Sequence, residues 1–198
     1  PAIESTPFSY RRKVRLAVDA RNPKAQKLGF RQQKGNKVID ITACALMSET
    51  LAHCYGALRQ LLTNANVLPY VGHISLLDCE GKAHIDLHLM RDAPAAEIDT
   101  FEQWAQDNSF GYTVSRQGLD CEQAHVYTLD NDLAIRFGSN DFIQVNEAIN
   151  RKMVSQAMAW LAPESSESTL DLFAGLGNFT LPLANKCRHV VGIEGVES

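Results

Sequence analysis

The chain of 198 residues has no apolar run approaching the roughly 18 residues that a membrane-spanning helix requires, so no segment reads as crossing a bilayer. It has no Cys-x-x-Cys pair. Its five cysteines, Cys44, Cys54, Cys79, Cys121 and Cys187, are odd in number and widely spread. That pattern argues against a disulfide scaffold and predicts reduced thiols in a cytoplasmic protein. No internal repeat or low-complexity tract interrupts it. With 45% hydrophobic residues, a mostly disordered chain is excluded. The length suits one large domain or two small ones.

A net charge of −4 hides an asymmetry. Residues 1–40 hold ten basic side chains against Glu4, Asp19 and Asp40, a local charge of +7. The remainder carries −11. A basic segment of this kind is either a solvated strand surface or the footprint of a polyanion, and Phe8, Tyr10 and Phe30 interleave with the charges as stacking groups for bases.

Arg12–Val18 alternates basic and apolar, the period-2 pattern of a half-buried strand. Further strands are predicted at Leu28–Arg31 and Val38–Ile41, with a hairpin of Val71–Leu77 and Ala83–Met90 around Glu80-Gly81. Residues 46–63 predict a helix whose apolar stripe runs through Leu51, Cys54, Leu58 and Leu61. A second helix is expected over Ala95–Asn108, then short strands at Tyr112–Ser115, His125–Leu129 and Leu133–Phe137. Residues 1–140 therefore read as a strand-rich α+β domain. After Gly138-Ser139-Asn140-Asp141 the texture changes. Asn146 caps a predicted helix over 147–161, with Ile149, Met153, Ala157 and Trp160 on one side. A strand at Thr169–Phe173, a glycine loop, a helix over about 178–186 and a strand at His189–Ile193 form β-α-β, the opening of a parallel nucleotide-binding sheet in residues 141–198.

Chemistry concentrates in that loop. Gly175 and Gly177 follow a strand directly and let the backbone approach a ligand. Glu194, 17 residues after Gly177 at the end of the next strand, suits the two hydroxyls of an adenosine ribose. Thr180 stands where the dinucleotide fingerprint has its third glycine, which argues against NAD or FAD. S-adenosylmethionine carries no phosphate, and Asp171-x-Phe173-x-Gly175-x-Gly177 is the form that methyltransferases use.

Leu170–Ala184 followed by Val190–Val196 resembles the RNA uracil-5 methyltransferase family, as do Asp141–Asn146, Phe8–Arg15 and Leu28–Arg31. The likeness is greatest to the branch acting on 23S ribosomal RNA. It implies an α+β central domain followed by the opening of a Rossmann-like, S-adenosylmethionine-dependent methyltransferase fold. It also implies that Gln144 meets the methionine end of the cofactor, that Phe173 and Asn178 flank it with Gly175 and Gly177, and that Glu194 holds its ribose. Arg11, Arg12, Lys13, Arg15 and Arg31 are the expected RNA contacts. Cys44, after Val38-Ile39-Asp40-Ile41, matches the fourth ligand of a 4Fe–4S cluster in the full-length parent, though Ala45 stands where the family has proline. A cluster needs four thiolates, so none is expected in these residues alone. The family's thiol nucleophile and general base are expected beyond Ser198, which makes the chain an inactive piece of a parent expected to be monomeric. The competing readings are a non-catalytic RNA-binding module, an enzyme of free nucleotides or another RNA base, and a methyltransferase of transfer RNA.

Overall fold

The computed structural model describes residues 2–64, 67–116 and 124–195; Cys121 lies outside them. Two compact units result, one of Pro7–Gln123 and one of Pro1–Thr6 with Ala124–Ser198. The division falls after residue 123 rather than after residue 140. The hairpin that follows residue 124 is tied by its side chains to later elements: Tyr127 hydrogen-bonds Asn178, and Arg151 pairs with Asp130.

The first unit contains β1 (Lys13–Asp19), β2 (Lys27–Arg31), β3 (Val38–Asp40), α1 (Glu49–Asn64), β4 (Val71–Cys79), β5 (Lys82–Leu89), α2 (Ala95–Asp107) and β6 (Gly111–Arg116). They build one six-stranded sheet in the order β3-β2-β1-β4-β5-β6. Only β5 and β6 run parallel, because α2 carries the chain across between them. The β4–β5 turn needs two residues with positive φ, and Glu80 (φ 53°) and Gly81 (φ 85°) supply them. Strand alternation sorts the side chains. Val14, Leu16, Ile74, Leu76, Ile85 and Leu87 are buried together with Leu51, Cys54, Tyr55 and Leu58 of α1. The opposite face carries Lys13, Arg15, His73, Asp86 and His88.

The edge strand β3 is pinned to α1. Arg59 grips Asp40 with two nitrogens, at 2.8 and 3.1 Å, while the Tyr55 hydroxyl donates to the carbonyls of Leu28 and Ile41. Gly29 permits the close approach of β2 to β3, since a Cβ there would lie 2.0 Å from the Ile39 carbonyl oxygen.

The second unit contains β7 (His125–Thr128) and β8 (Ala134–Phe137), an antiparallel pair, then α3 (Glu147–Leu161), β9 (Ser168–Leu172), α4 (Thr180–Ala184) and β10 (His189–Ile193). β9 and β10 pair in parallel from His189↔Ser168 to Ile193↔Leu172. The Asn146 side chain caps α3 by accepting from the Ile149 N–H at 3.0 Å, and Ala162 ends it in the left-handed region. The buried positions of α3 are Asn150 and Val154, one residue round from the stripe expected from spacing, and Trp160 is 75% exposed.

Candidate functional site

The glycine loop follows β9 and is shaped by backbone angles that side chains oppose. Phe173 (φ 62°), Gly175 (φ 53°) and Gly177 (φ 89°) all lie in the left-handed region. A non-glycine residue there is strained by roughly 1–3 kcal/mol, and Phe173 carries that strain with 88% of its surface exposed. Space around Gly175 is open: apart from its own atoms and those of its two chain neighbours, none lies within 4 Å of where a Cβ would stand.

Glu194, at the end of β10, turns back onto this loop. One carboxylate oxygen accepts the Gly175 N–H at 2.8 Å and the other the Gly195 N–H, also at 2.8 Å. The structure therefore brings Gly175 and Glu194 together across 19 positions of sequence, at the carboxyl ends of two parallel strands. That is where ligands bind in open α/β sheets.

The missing third glycine has a structural counterpart. The Thr180 hydroxyl donates to Asp171 at 2.6 Å, and Thr180 sits against Gly192 of β10, the cross-strand partner of Asp171. A Cβ on Gly192 would stand 3.1 Å from the Ala174 Cβ and 3.3 Å from Thr180. The room that a glycine at position 180 would make on the helix is thus made by a glycine on the strand.

Asn178 is held in a reciprocal amide pair. Its Nδ2 donates to Asn150 Oδ1 at 2.9 Å, and Asn150 Nδ2 donates to Asn178 Oδ1 at 2.8 Å, with the Tyr127 hydroxyl donating to the same oxygen at 3.4 Å. Asn150 is 1% exposed. Both ends of the Asn178 amide thus anchor the loop to α3. Asn150 and Tyr127 went unnoticed in the sequence. The available signal was a lone asparagine at a buried helical position. Gln144 is exposed in the connection from β8 to α3.

The five candidate RNA contacts separate by burial. Arg12 is 4% exposed, which removes it from the open cationic face. Arg11 and Lys13 are half-buried, and Arg11 pairs in backbone with Met47. Arg15 and Arg31 are exposed.

Known proteins are similar to this chain. The sequence profile of a family described as tRNA (Uracil-5-)-methyltransferase matches residues 118–197. The 23S rRNA (uracil(1939)-C(5))-methyltransferase RlmD of Alteromonas naphthalenivorans is 38% identical over 193 residues, covering 94% of this chain and 41% of that protein. The RlmD of Psychromonas ingrahamii is 39% identical over 205 residues, covering 100% of this chain and 46% of its own length. The chain belongs to the RNA uracil-5 methyltransferase family. It spans less than half the length of those curated family members. The Pyrococcus abyssi tRNA (uracil-54, C5)-methyltransferase, solved in complex with S-adenosyl-L-homocysteine, superposes with a TM-score of 0.68. It covers 96% of this chain and 50% of that one, and at 18% identity it shows that the methyltransferase fold is shared.

For a member of the uracil-5 methyltransferase family, the thiols are notable for where they stand. Cys44 is half-buried at the edge of the first unit's core, on the segment whose Ala45 and Leu46 carbonyls accept from the Ser9 and Arg11 N–H groups. Among the described residues no group of three or more His, Cys, Asp or Glu side chains converges as a metal site. Cys44 is thus a single thiol where a 4Fe–4S cluster needs four, and the residues present do not fit that group by themselves. Burial pushes the Cys54 thiol up to about 12 and the Cys79 thiol up to about 11, which makes both poor thiolate ligands. Cys187 accepts from the Thr169 hydroxyl at 2.8 Å, at the beginning of β9 and the opposite end from the glycine loop.

Proposed function

We propose that this chain is part of an enzyme that transfers a methyl group from S-adenosylmethionine to C5 of a uridine in 23S ribosomal RNA. In this reading the first unit is an α+β central domain that meets RNA, and β9, α4 and β10 open a Rossmann-like cofactor domain. The observation that carries it is the Glu194 carboxylate, hydrogen-bonded to the Gly175 N–H at the carboxyl ends of β9 and β10. An acidic group there is suited to the ribose hydroxyls, and the open space at Gly175 admits a ligand against the backbone. Gln144 and the exposed Phe173 complete the proposed cofactor set, while Asn178, locked to Asn150, holds the loop in register.

S-adenosylmethionine supplies the electrophilic methyl. The residues of this chain bind and orient it. Uracil C5 is a weak nucleophile until a thiolate adds at C6; once C5 has taken the methyl, a base must remove the C5 proton so that the C6–S bond breaks and the thiolate leaves. Cys187, bonded to Thr169 at the far end of β9, is out of place for that step. These 198 residues are therefore proposed to be inactive alone. Cys44 is proposed as a cluster ligand only in company with three thiolates from elsewhere in the parent. A cytoplasmic, monomeric parent is part of the same reading.

A transfer RNA substrate is the second reading, favoured by the wording of the family description and by the archaeal neighbour. The identities of 38–39% to 23S rRNA enzymes favour ribosomal RNA. The deciding experiment uses the full-length protein with tritiated methyl donor and either unmodified 23S ribosomal RNA or bulk transfer RNA. Transfer to 23S alone is expected, and transfer to transfer RNA alone overturns the assignment. In that protein Glu194→Ala should weaken S-adenosylmethionine binding by about 1.5–3 kcal/mol, the range for hydrogen bonds to a charged group. Unchanged affinity by calorimetry removes Glu194 from the site.

A further inference from the structure

On the sheet face turned away from α1, β1, β2, β4 and β5 gather cations and imidazoles. His73 and His88 are cross-strand partners whose rings stack at 4.4 Å between centroids, with 24° between planes. The β4–β5 register shifts between Val71 and His73, a bulge that re-aims the side chain after Gly72. Beside the stack lies a cavity of about 360 Å³ lined by Arg15, Leu16, Ala17, Arg31, Gly72 and His73. Among the described residues that line it there is no carboxylate.

Hydrogen-bond donors define the protonation of this cluster. Arg15 Nη2 lies 3.2 Å from His73 Nδ1. A guanidinium only donates, so Nδ1 accepts and the hydrogen of a neutral ring sits on Nε2. Ser115 Oγ donates to Asp86 at 3.0 Å and therefore accepts from His88 Nδ1 at 3.2 Å. His73 is thus faced by Arg15 from β1, Arg31 from β2, and His88 and Asp86 from β5. Burial first, then Arg15 and His88, hold its imidazole down to about 4, with Asp86 opposing and Arg31 assisting. The ring is neutral at pH 7, held so by burial and by the neighbouring guanidinium groups.

We propose that this cavity seats one phosphodiester of an RNA backbone and takes up a proton on His73 when it fills, an inference that rests on the RNA-substrate reading above. An anion beside Arg15 and Arg31 offsets the cations that disfavour imidazolium. Solvent supplies the proton to Nδ1. Arg15 then loses its acceptor on the ring and turns its donors to the phosphate, while the imidazolium offers two N–H groups instead of one. The empty and filled states differ in what Arg15 grips.

The test follows the His73 imidazole of the 198-residue chain by NMR across pH, alone, with sulfate, and with a short uridine-rich RNA. Neither anion titrates in the range of interest. The expected result is a midpoint near 4 alone that rises with both anions. If RNA restores the ordinary value of about 6.5, its affinity is about tenfold higher near pH 5.5 than near pH 7.5. His73→Gln should abolish that pH dependence while Arg15 and Arg31 still support binding at the higher pH. A midpoint unmoved by either anion overturns the seat, even if RNA binds elsewhere on the chain. A midpoint moved by sulfate and not by RNA overturns the RNA assignment and counts against the reading it rests on.

Discussion

The Asn150–Asn178 pair shows what a single buried polar residue does for a loop. Each amide satisfies the other, and Asn150 is almost fully enclosed. Asn150→Ala leaves the Asn178 side chain with lost partners, and a loss of about 1–3 kcal/mol of stability is expected by urea unfolding. A change within experimental error would show that water replaces the partner at no cost. Asp40 gives a pH prediction of known sign. The hydrogen-bonded Arg59 guanidinium lowers its carboxyl below the usual value, and the Leu28 N–H assists. Its stabilisation is present above the ordinary carboxylate range, near 4, and is lost as pH falls through the lower folded value. Asp40→Asn should therefore reduce stability at neutral pH and weaken its dependence on acid. A parallel shift of the whole stability-against-pH curve would place the effect elsewhere.

At the scale of elements, the tightest fit is between β2 and β3. A methyl at Gly29 would overlap the Ile39 carbonyl, so the strands must part or bend. Gly29→Ala should cost about 1–3 kcal/mol, the range for overpacking, with early loss of amide protection in Val38–Asp40 by hydrogen exchange. Unchanged protection there would mean that β2 yields instead. The α1 stripe behaved as its period required: Leu51, Cys54 and Leu58 are all fully enclosed. On α3 the same reasoning is off by one residue: Ile149, Met153 and Ala157 are half-buried, and Trp160 is exposed. Ile149, Met153 and Trp160 outweigh Asn150 in hydrophobicity, yet Asn150 faces inward because its amide has a partner on the glycine loop. Periodicity weighs side chains singly and does not see a hydrogen bond across 28 positions.

For the molecule as a whole, the open feature is the β9–β10 ribbon. Parallel register puts Leu170 beside Val191 and Leu172 beside Ile193, and all four are exposed, from 42% to 57%. The opposite side carries Asp171 and Gly192, against which Thr180 of α4 packs. An apolar face of this kind on the 198-residue chain should bind a hydrophobic dye and drive concentration-dependent association. Leu170→Ser with Leu172→Ser should suppress both by fluorescence and analytical ultracentrifugation. Association that survives the double substitution would place the contact on another surface.

Local signals were enough for the strands and turns: basic–apolar alternation in β1, Glu80-Gly81 between β4 and β5, and Asn146 at the head of α3 are each decided by a few neighbouring residues. The spacing of Gly175, Gly177 and Glu194 likewise marks the loop, because a strand, a sharp turn and an acid at the next strand end form one short contiguous unit. Tertiary structure alone decided the rest. Arg12 has the parity of Val14 and Leu16 rather than of Arg15, but a long cation at that position can still reach solvent, and only the fold decides that it is enclosed. Thr180 packs against Gly192, on another strand, where a Cβ would stand 3.3 Å from it. The His73 imidazole is held down first by burial and then by Arg15 and His88, with Asp86 opposing, and β pairing brings those partners to it from other parts of the sequence. Sequence encodes what neighbours along the chain dictate; burial and fields are sums over neighbours in space, and only the fold assembles those.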